Sequence, residues 1–189
     1  MDSKRIAAIV VFAALTIALN LSPIRIPAPY APFLIYQIWE IPIVTAFLLY
    51  GSAVGVAVAV VNTLFLLVMF PGGLPTGPFY NLAAILSMLL GIYIIERVLS
   101  EGSNRRKVTI AVTASTLLGV VLRVAVMSLV NWVFLRYPPP IGYSLPSEAL
   151  IAMLPIIGFF NATIALYTVP LGYILAKAVS QYYASTHVR

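Results

Sequence analysis

The chain has 189 residues, of which 62% are hydrophobic and only 8% are charged, and its formal net charge is +6. A soluble domain of this length would carry about 25% charged residues, so the composition excludes an ordinary soluble protein and indicates a membrane protein. Cysteine is absent, which excludes disulfides, thiolate chemistry and cysteine-based metal sites.

Six apolar segments fill almost all of the chain and predict a single integral membrane domain over residues 1–189. We therefore predict an all-α fold, a bundle of six transmembrane helices. The last segment is too long for one straight span, and Pro155 and Pro170 predict breaks or kinks in it. In chain order, the predicted helices cover about 5–22, 36–50, 53–70, 79–99, 108–135 and 146–183.

Three proline-rich connections, at 23–32, 71–78 and 136–143, fall on the same side of such a bundle. Proline breaks helices, so these stretches are expected to be ordered or partly extended loops. Interfacial anchoring is one explanation for the tyrosines that they bring together, and a lid or rim over an outward-facing pocket is the other. These tyrosines are Tyr30, Tyr36, Tyr80, Tyr137 and Tyr143.

The opposite side of the bundle collects eight of the eleven basic residues. The positive-inside rule then places both termini in the cytoplasm of a multi-pass protein of the cell membrane. The basic excess is therefore a topology signal, and no nucleic-acid partner is expected. The eight residues are Lys4, Arg5, Arg97, Arg105, Arg106, Lys107, Lys177 and Arg189.

Arg123 is the most unusual residue, because it lies near the middle of the fifth apolar segment. A charge at that depth should face protein or water rather than lipid. Met127 and Asn131 follow at four-residue steps and share its helix face. This face either binds a ligand or lies inside the bundle, with Arg123 paired to Glu40. Glu40 begins the second segment, where a carboxylate either stabilises the helix N-terminus or contacts a ligand.

Asn62, Asn81 and Asn161 place one amide each in the third, fourth and sixth segments. An unpaired amide in apolar surroundings costs about 1–3 kcal/mol. Each must therefore pair with another helix, which is the commoner outcome, or with a ligand. Asn81 and Asn161 are expected to lie nearer the pocket than Asn62.

No catalytic constellation is visible. The sequence has no paired-carboxylate motif, no histidine in an apolar segment (His187 lies in the polar tail) and no phosphate loop of the Gly-x4-Gly-Lys type. We therefore expect no enzymatic activity and no cofactor. If ATP powers the protein, another subunit must bind it.

Small residues recur at four-residue steps in the first and third segments. Such steps allow close helix approach, so they serve either packing inside the bundle or docking of a membrane partner. The steps are Ala14 to Ala18, Ala53 to Ala57, and Gly51 to Gly55 to Ala59.

Three stretches carry a family resemblance. The first is Pro-Phe-Leu-Ile-Tyr-Gln-Ile-Trp-Glu-Ile-Pro at 32–42, with a glycine turn at Gly51; the second is Gly-Pro-Phe-Tyr-Asn-Leu at 77–82. The third joins Arg123 to Asn131-Trp132 and Gly-Phe-Phe-Asn at 158–161. In this order and spacing, the chain resembles the substrate-binding S component of an energy-coupling factor (ECF) vitamin transporter, most closely the riboflavin-type branch.

The resemblance implies six helices, a vitamin bound near the outer face, and riboflavin as the transported ligand. It also implies that Ala14, Ala18, Ala53 and Ala57 dock a transmembrane coupling subunit, with two cytoplasmic ATPase subunits supplying energy. The expected substrate-binding residues are Tyr36, Trp39, Glu40, Tyr80, Asn81, Arg123, Met127, Asn131 and Asn161.

Two positions depart from the riboflavin-type pattern. Members of that branch often carry lysine where this sequence has Ile35 and Ile164, and Arg123 is a candidate replacement for one of them. The alternatives are therefore an S component for another vitamin or small heteroaromatic solute, or a stand-alone secondary transporter.

Overall fold

Six α-helices and one β-hairpin make up the part of the chain that this computed structural model describes, residues 2–23, 25–69, 74–99 and 105–186. His187, Arg189 and residues 71–73 and 100–104 of the connections at 71–78 and 100–107 lie outside the described residues. The all-helical class is confirmed, apart from the hairpin. The elements are α1 (Ser3–Leu21), β1 (Ile26–Ala28), β2 (Ala31–Tyr36), α2 (Glu40–Tyr50), α3 (Ser52–Met69), α4 (Gly77–Val98), α5 (Arg105–Phe134) and α6 (Ser147–Thr186).

Five of these helices are long and apolar enough to cross a membrane, and α2 is not. Its 11 residues rise about 16 Å, roughly half of the 30 Å hydrocarbon core of a bilayer. The chain is therefore a multi-pass membrane protein with five candidate spans and one short apolar helix, where the sequence predicted six transmembrane helices.

The first proline-rich connection, predicted as an ordered or partly extended loop, contributes β1 and the start of β2 to an antiparallel hairpin. Ile26 pairs with Tyr36, and Pro27 pairs with Ile35. Pro27 is tolerated because proline, which lacks an N–H, can occupy an edge strand. Because β2 continues to Tyr36, the predicted helix over 36–50 is wrong at its start, and α2 begins at Glu40.

The short helix α2 lies at the centre of the bundle, in contact with α1, α3 and α6. Its first eight residues, 40–47, are all buried. A Cβ on Gly55 of α3 would lie 2.5 Å from that of Phe47, and a Cβ on Gly172 of α6 would lie 2.4 Å from Val44 Cγ1. Glycine at both positions therefore lets two long helices close around α2.

The final helix runs without interruption from Ser147 to Thr186 and contains both Pro155 and Pro170. The helix is therefore not broken at either proline, and the kinks that were the alternative stay a prediction. Each proline removes one intrahelical hydrogen bond, and neighbouring helices compensate for such losses inside a membrane.

A polar cluster joins α4, α5 and α6 at the end of the bundle opposite the hairpin. Tyr173 donates its hydroxyl to Glu96 Oε1 at 2.5 Å, and Ser115 Oγ lies 2.9 Å from the same hydroxyl. Partly buried side-chain hydrogen bonds therefore connect these three helices at this end.

Backbone contact between α4 and α5 gives a prediction about stability. A Cβ on Gly91 would lie 2.7 Å from the Gly119 nitrogen, so Gly91→Ala must push the two helices apart. We expect it to destabilise the protein by about 1–3 kcal/mol, measured by thermal unfolding in detergent.

The matched control is Gly119→Ala, whose Cβ would meet Met88 at 3.5 Å, an ordinary contact. It should leave the unfolding temperature near that of the unsubstituted protein. Equal unfolding temperatures for the two variants would contradict the proposed helix contact.

Candidate functional site

A cavity of about 570 Å³ lies at the end of the bundle that carries the hairpin and the connections following α3 and α5. We call this end the loop end. The cavity is within the size range of small-molecule sites, about 300–1,000 Å³. Side chains from all six helices and from the hairpin line it.

The shortness of α2 explains why a cavity exists here. Arg123 precedes the end of α5 at Phe134 by eleven residues, which places it about 16 Å below the loop end. The N-terminus of α2 stops at that depth, because Glu40 contacts Arg123. The space above α2, which a full-length helix would fill, is therefore open and has the hairpin beside it.

An ion pair forms the floor of the cavity. Arg123 Nη2 donates to Glu40 Oε1 at 2.8 Å, and Nη1 donates to the other carboxylate oxygen. Arg123 and Glu40 are 3% and 4% exposed, so the pair is almost completely removed from solvent. The sequence left open whether Arg123 binds a ligand or pairs with Glu40 inside the bundle. The structure contains the ion pair with Glu40.

Asn161 holds the guanidinium in place from α6. Its Oδ1 accepts a hydrogen bond from Arg123 Nε at 3.0 Å, and its Nδ2 donates to the carbonyl of Ile157 at 2.9 Å. The amide of Asn161 is therefore already engaged at both ends. Arg123 likewise uses all three of its nitrogens within the protein.

Two other amides in the cavity wall retain free hydrogen-bonding groups. Asn131 donates Nδ2 to the carbonyl of Met127 at 2.7 Å, which leaves Oδ1 as an acceptor. Asn81, in the first turn of α4, is exposed and bonds to no other residue in the described part of the chain. These two amides can therefore form hydrogen bonds with a ligand.

The connection between α5 and α6 is tied to the start of α4 and forms one wall. Thr76 Oγ1 donates to the carbonyl of Pro140 at 2.7 Å, and Tyr80 donates its hydroxyl to the carbonyl of Ile141 at 2.9 Å. A Cβ on Gly142 would lie 2.2 Å from the Phe134 carbonyl oxygen. This part of the rim is therefore ordered by backbone contacts.

Eight of the nine predicted site residues line the cavity, and Tyr36 does not. The Tyr36 ring packs 5.0 Å from Phe160 and 6.5 Å from Tyr167, measured between centroids, and its hydroxyl bonds to that of Tyr30. Desolvation and this hydrogen bond raise the pKa of the Tyr30 hydroxyl to about 12. The eight that line the cavity are Trp39, Glu40, Tyr80, Asn81, Arg123, Met127, Asn131 and Asn161.

The sequence reasoning missed several lining residues. Asn20, near the end of α1, lines the cavity and donates to Asn62 Oδ1 at 2.7 Å. Asn20 could have been predicted from the sequence, because it is an amide near the end of an apolar segment. The same hydrogen bond joins α1 to α3, so Asn62 pairs with another helix, which was the commoner of its two expected outcomes. Other unpredicted lining residues are Arg25, Phe33, Gln37, Met153 and Phe160.

The small residues of α1 and α3 divide into two sets. Ala14, Ala18 and Ala53 are exposed and Ala57 is half-buried; we call these four the small-residue face. Gly55 and Ala59 are buried inside the bundle. Packing inside the bundle therefore accounts for Gly55 and Ala59, whereas the small-residue face lies on the protein surface.

Comparison with known proteins identifies the fold. No protein-family model matches the sequence, and no curated protein matches it. Among solved structures, the chain is similar to one described as the S component of a bacterial ECF transporter, with a TM-score of 0.68 and 23% identity over 100% of both chains. The resemblance to S components is thereby confirmed at the level of the fold, and the riboflavin-type branch stays a prediction.

Proposed function

We propose that this chain is the substrate-binding membrane subunit of an ECF-type, ATP-driven vitamin importer, and that its ligand is riboflavin or a related flavin. The observation that carries this proposal is the cavity above α2, with its polar floor, inside a fold shared over the full chain with an S component. In this proposal the coupling subunit and two ATPases are separate chains.

The chemistry of the cavity suits a flat ring with hydrogen-bonding edges. Trp39, Tyr80 and Phe160 supply aromatic surface, which favours stacked or edge-on contact with a ring. Asn81 and Asn131 supply amide groups that the described part of the chain does not fully satisfy. An isoalloxazine ring presents both a large aromatic face and a polar edge, and so matches these two sets of groups.

The distribution of charge supports a cavity that opens outward. Lys4, Arg5, Arg97 and Lys177 all belong to helix ends remote from the loop end. By the positive-inside rule, the end that carries them faces the cytoplasm. The loop end and its cavity then face the outside, where a substrate for import would be captured.

The test is to purify the protein in detergent and analyse it for a co-purified small molecule by mass spectrometry and visible absorbance. We expect a flavin, bound with quenched fluorescence and released on denaturation. If riboflavin neither co-purifies nor binds to ligand-free protein on titration, the flavin assignment is wrong.

Asn131→Ala gives a sharper prediction for the same site. Loss of the free Oδ1 acceptor should weaken riboflavin binding by about 1–3 kcal/mol, measured by fluorescence titration. Leu129→Ala, on the exposed face of α5, is the control and should bind normally. Unchanged affinity in Asn131→Ala would remove this amide from the ligand site.

A further inference from the structure

The cavity has an uneven distribution of charge. Among the described residues that line it, only Arg25, Glu40 and Arg123 are charged. The latter two form the bidentate pair at the floor and neutralise each other. The remaining charge is that of Arg25, which immediately precedes β1 at the loop end.

The floor does not select for a charged group. Both carboxylate oxygens of Glu40 accept from Arg123, and the third nitrogen of the guanidinium is bonded to Asn161. A ligand carboxylate or ammonium at this depth would have to compete with a buried ion pair for its partner. The part of a ligand that reaches the floor is therefore uncharged.

The mouth is different, because Arg25 has no competing partner among the residues that the structure describes. It is exposed, and it makes no hydrogen bond or ion pair with any other residue of the described chain. Guanidinium groups bind phosphate and carboxylate through paired N–H donors. Arg25 is thus placed to meet an anionic group on a ligand whose ring lies deeper.

From this pattern we infer that the cavity takes a ligand with an uncharged ring and an anionic substituent at the opposite end, held at the mouth by Arg25. The inference rests on the proposed function and narrows its substrate class to a phosphorylated or carboxylated form of the ring compound. For a flavin, the anionic form is riboflavin 5′-phosphate.

The experiment compares riboflavin with riboflavin 5′-phosphate as probes, titrated into ligand-free protein in a non-ionic detergent. At about 0.1 M salt we expect the phosphate form to bind about five-fold more tightly, the factor that an exposed ion pair provides. At about 1 M salt, where the Debye length falls to about 3 Å, this preference should disappear.

Arg25→Gln should abolish the preference for riboflavin 5′-phosphate over riboflavin at low salt, measured as the ratio of the two affinities in the same variant. The matched control is Arg136→Gln, the other arginine near the loop end, which stacks on the Trp132 ring at 3.6 Å and does not line the cavity. It should keep the preference. If both variants lose it equally, a general surface potential and not Arg25 is responsible, and the inference is wrong.

A lipid phosphate is the other anion that Arg25 meets in a membrane. Repeating the titration in nanodiscs of zwitterionic lipid, with and without phosphatidylglycerol, separates the two. If the preference for riboflavin 5′-phosphate persists in nanodiscs that contain phosphatidylglycerol, the contact between Arg25 and the ligand is supported. If the anionic lipid removes this preference, the inference is wrong. If riboflavin binds and its phosphate binds no better at low salt, only this inference fails; if neither binds, the flavin proposal fails with it.

Discussion

Arg123→Met is expected to lower the free energy of unfolding by about 3–5 kcal/mol, because it leaves a buried carboxylate without its countercharge. Glu40 is 4% exposed, and both of its oxygens lose their donors. Asn161 Oδ1 also loses the hydrogen bond from Nε. Thermal unfolding of the detergent-purified protein, with binding measured on the folded fraction, records the effect.

The control for this variant is the double substitution Glu40→Gln with Arg123→Met. Replacing a buried ion pair by uncharged groups is often close to neutral for stability, so the double variant should unfold near the unsubstituted protein. An ordinary surface substitution changes the free energy of unfolding by no more than about 0.5 kcal/mol. If Arg123→Met alone has an effect this small, the ion pair does not stabilise the fold.

Ala14→Trp is expected to reduce vitamin uptake by more than about tenfold, which corresponds to about 1.4 kcal/mol, while leaving ligand binding intact. Ala14 belongs to the small-residue face and is exposed, so a large side chain there would disturb the coupling subunit that we propose docks on this face, without disturbing the bundle. The measurement pairs flavin uptake in cells that contain the coupling module with ligand titration of the same purified variant.

The neighbouring residue provides the control for docking. Ala13 is 4% exposed, so Ala13→Trp overpacks the interior, at a cost of about 1–3 kcal/mol, and should lose binding and uptake together. Ala57→Trp, at a half-buried position, should show a weaker form of the Ala14 result. Loss of binding in Ala14→Trp would disprove the docking role, and retention of uptake would mean that this face contacts only lipid.

The sequence predicts the long helices well, because a run of apolar residues bounded by glycine, proline or charge has little alternative in a membrane. Predicted helices over 53–70 and 79–99 correspond to Ser52–Met69 and Gly77–Val98. The hairpin was not predicted, because its pairing joins residues across a proline-rich stretch that shows no alternation of apolar and polar residues.

The error at Tyr36 follows from the same missed element. On a helix, Tyr36 and Glu40 would share a face, four residues apart, and both would reach the cavity. In the hairpin, Phe33, Leu34 and Ile35 line the cavity, whereas the Tyr36 ring packs against Phe160 and does not line it. The pairing of Arg123 with Glu40 could be anticipated, since a charge within the membrane needs a partner.

The central position of α2 has a consequence for how the protein is assembled during synthesis. An insertion machinery that recognises about 20 apolar residues cannot take up these 11 as an independent span, so α2 enters the bilayer joined to α3 through Gly51. One side of α2 is covered by α6, which packs closely against it where Gly172 contacts Val44. Because α6 follows the other five helices in the chain, this side of α2 closes only after α1 to α5 have been synthesised, and α2 is in contact with α3 before it contacts α6.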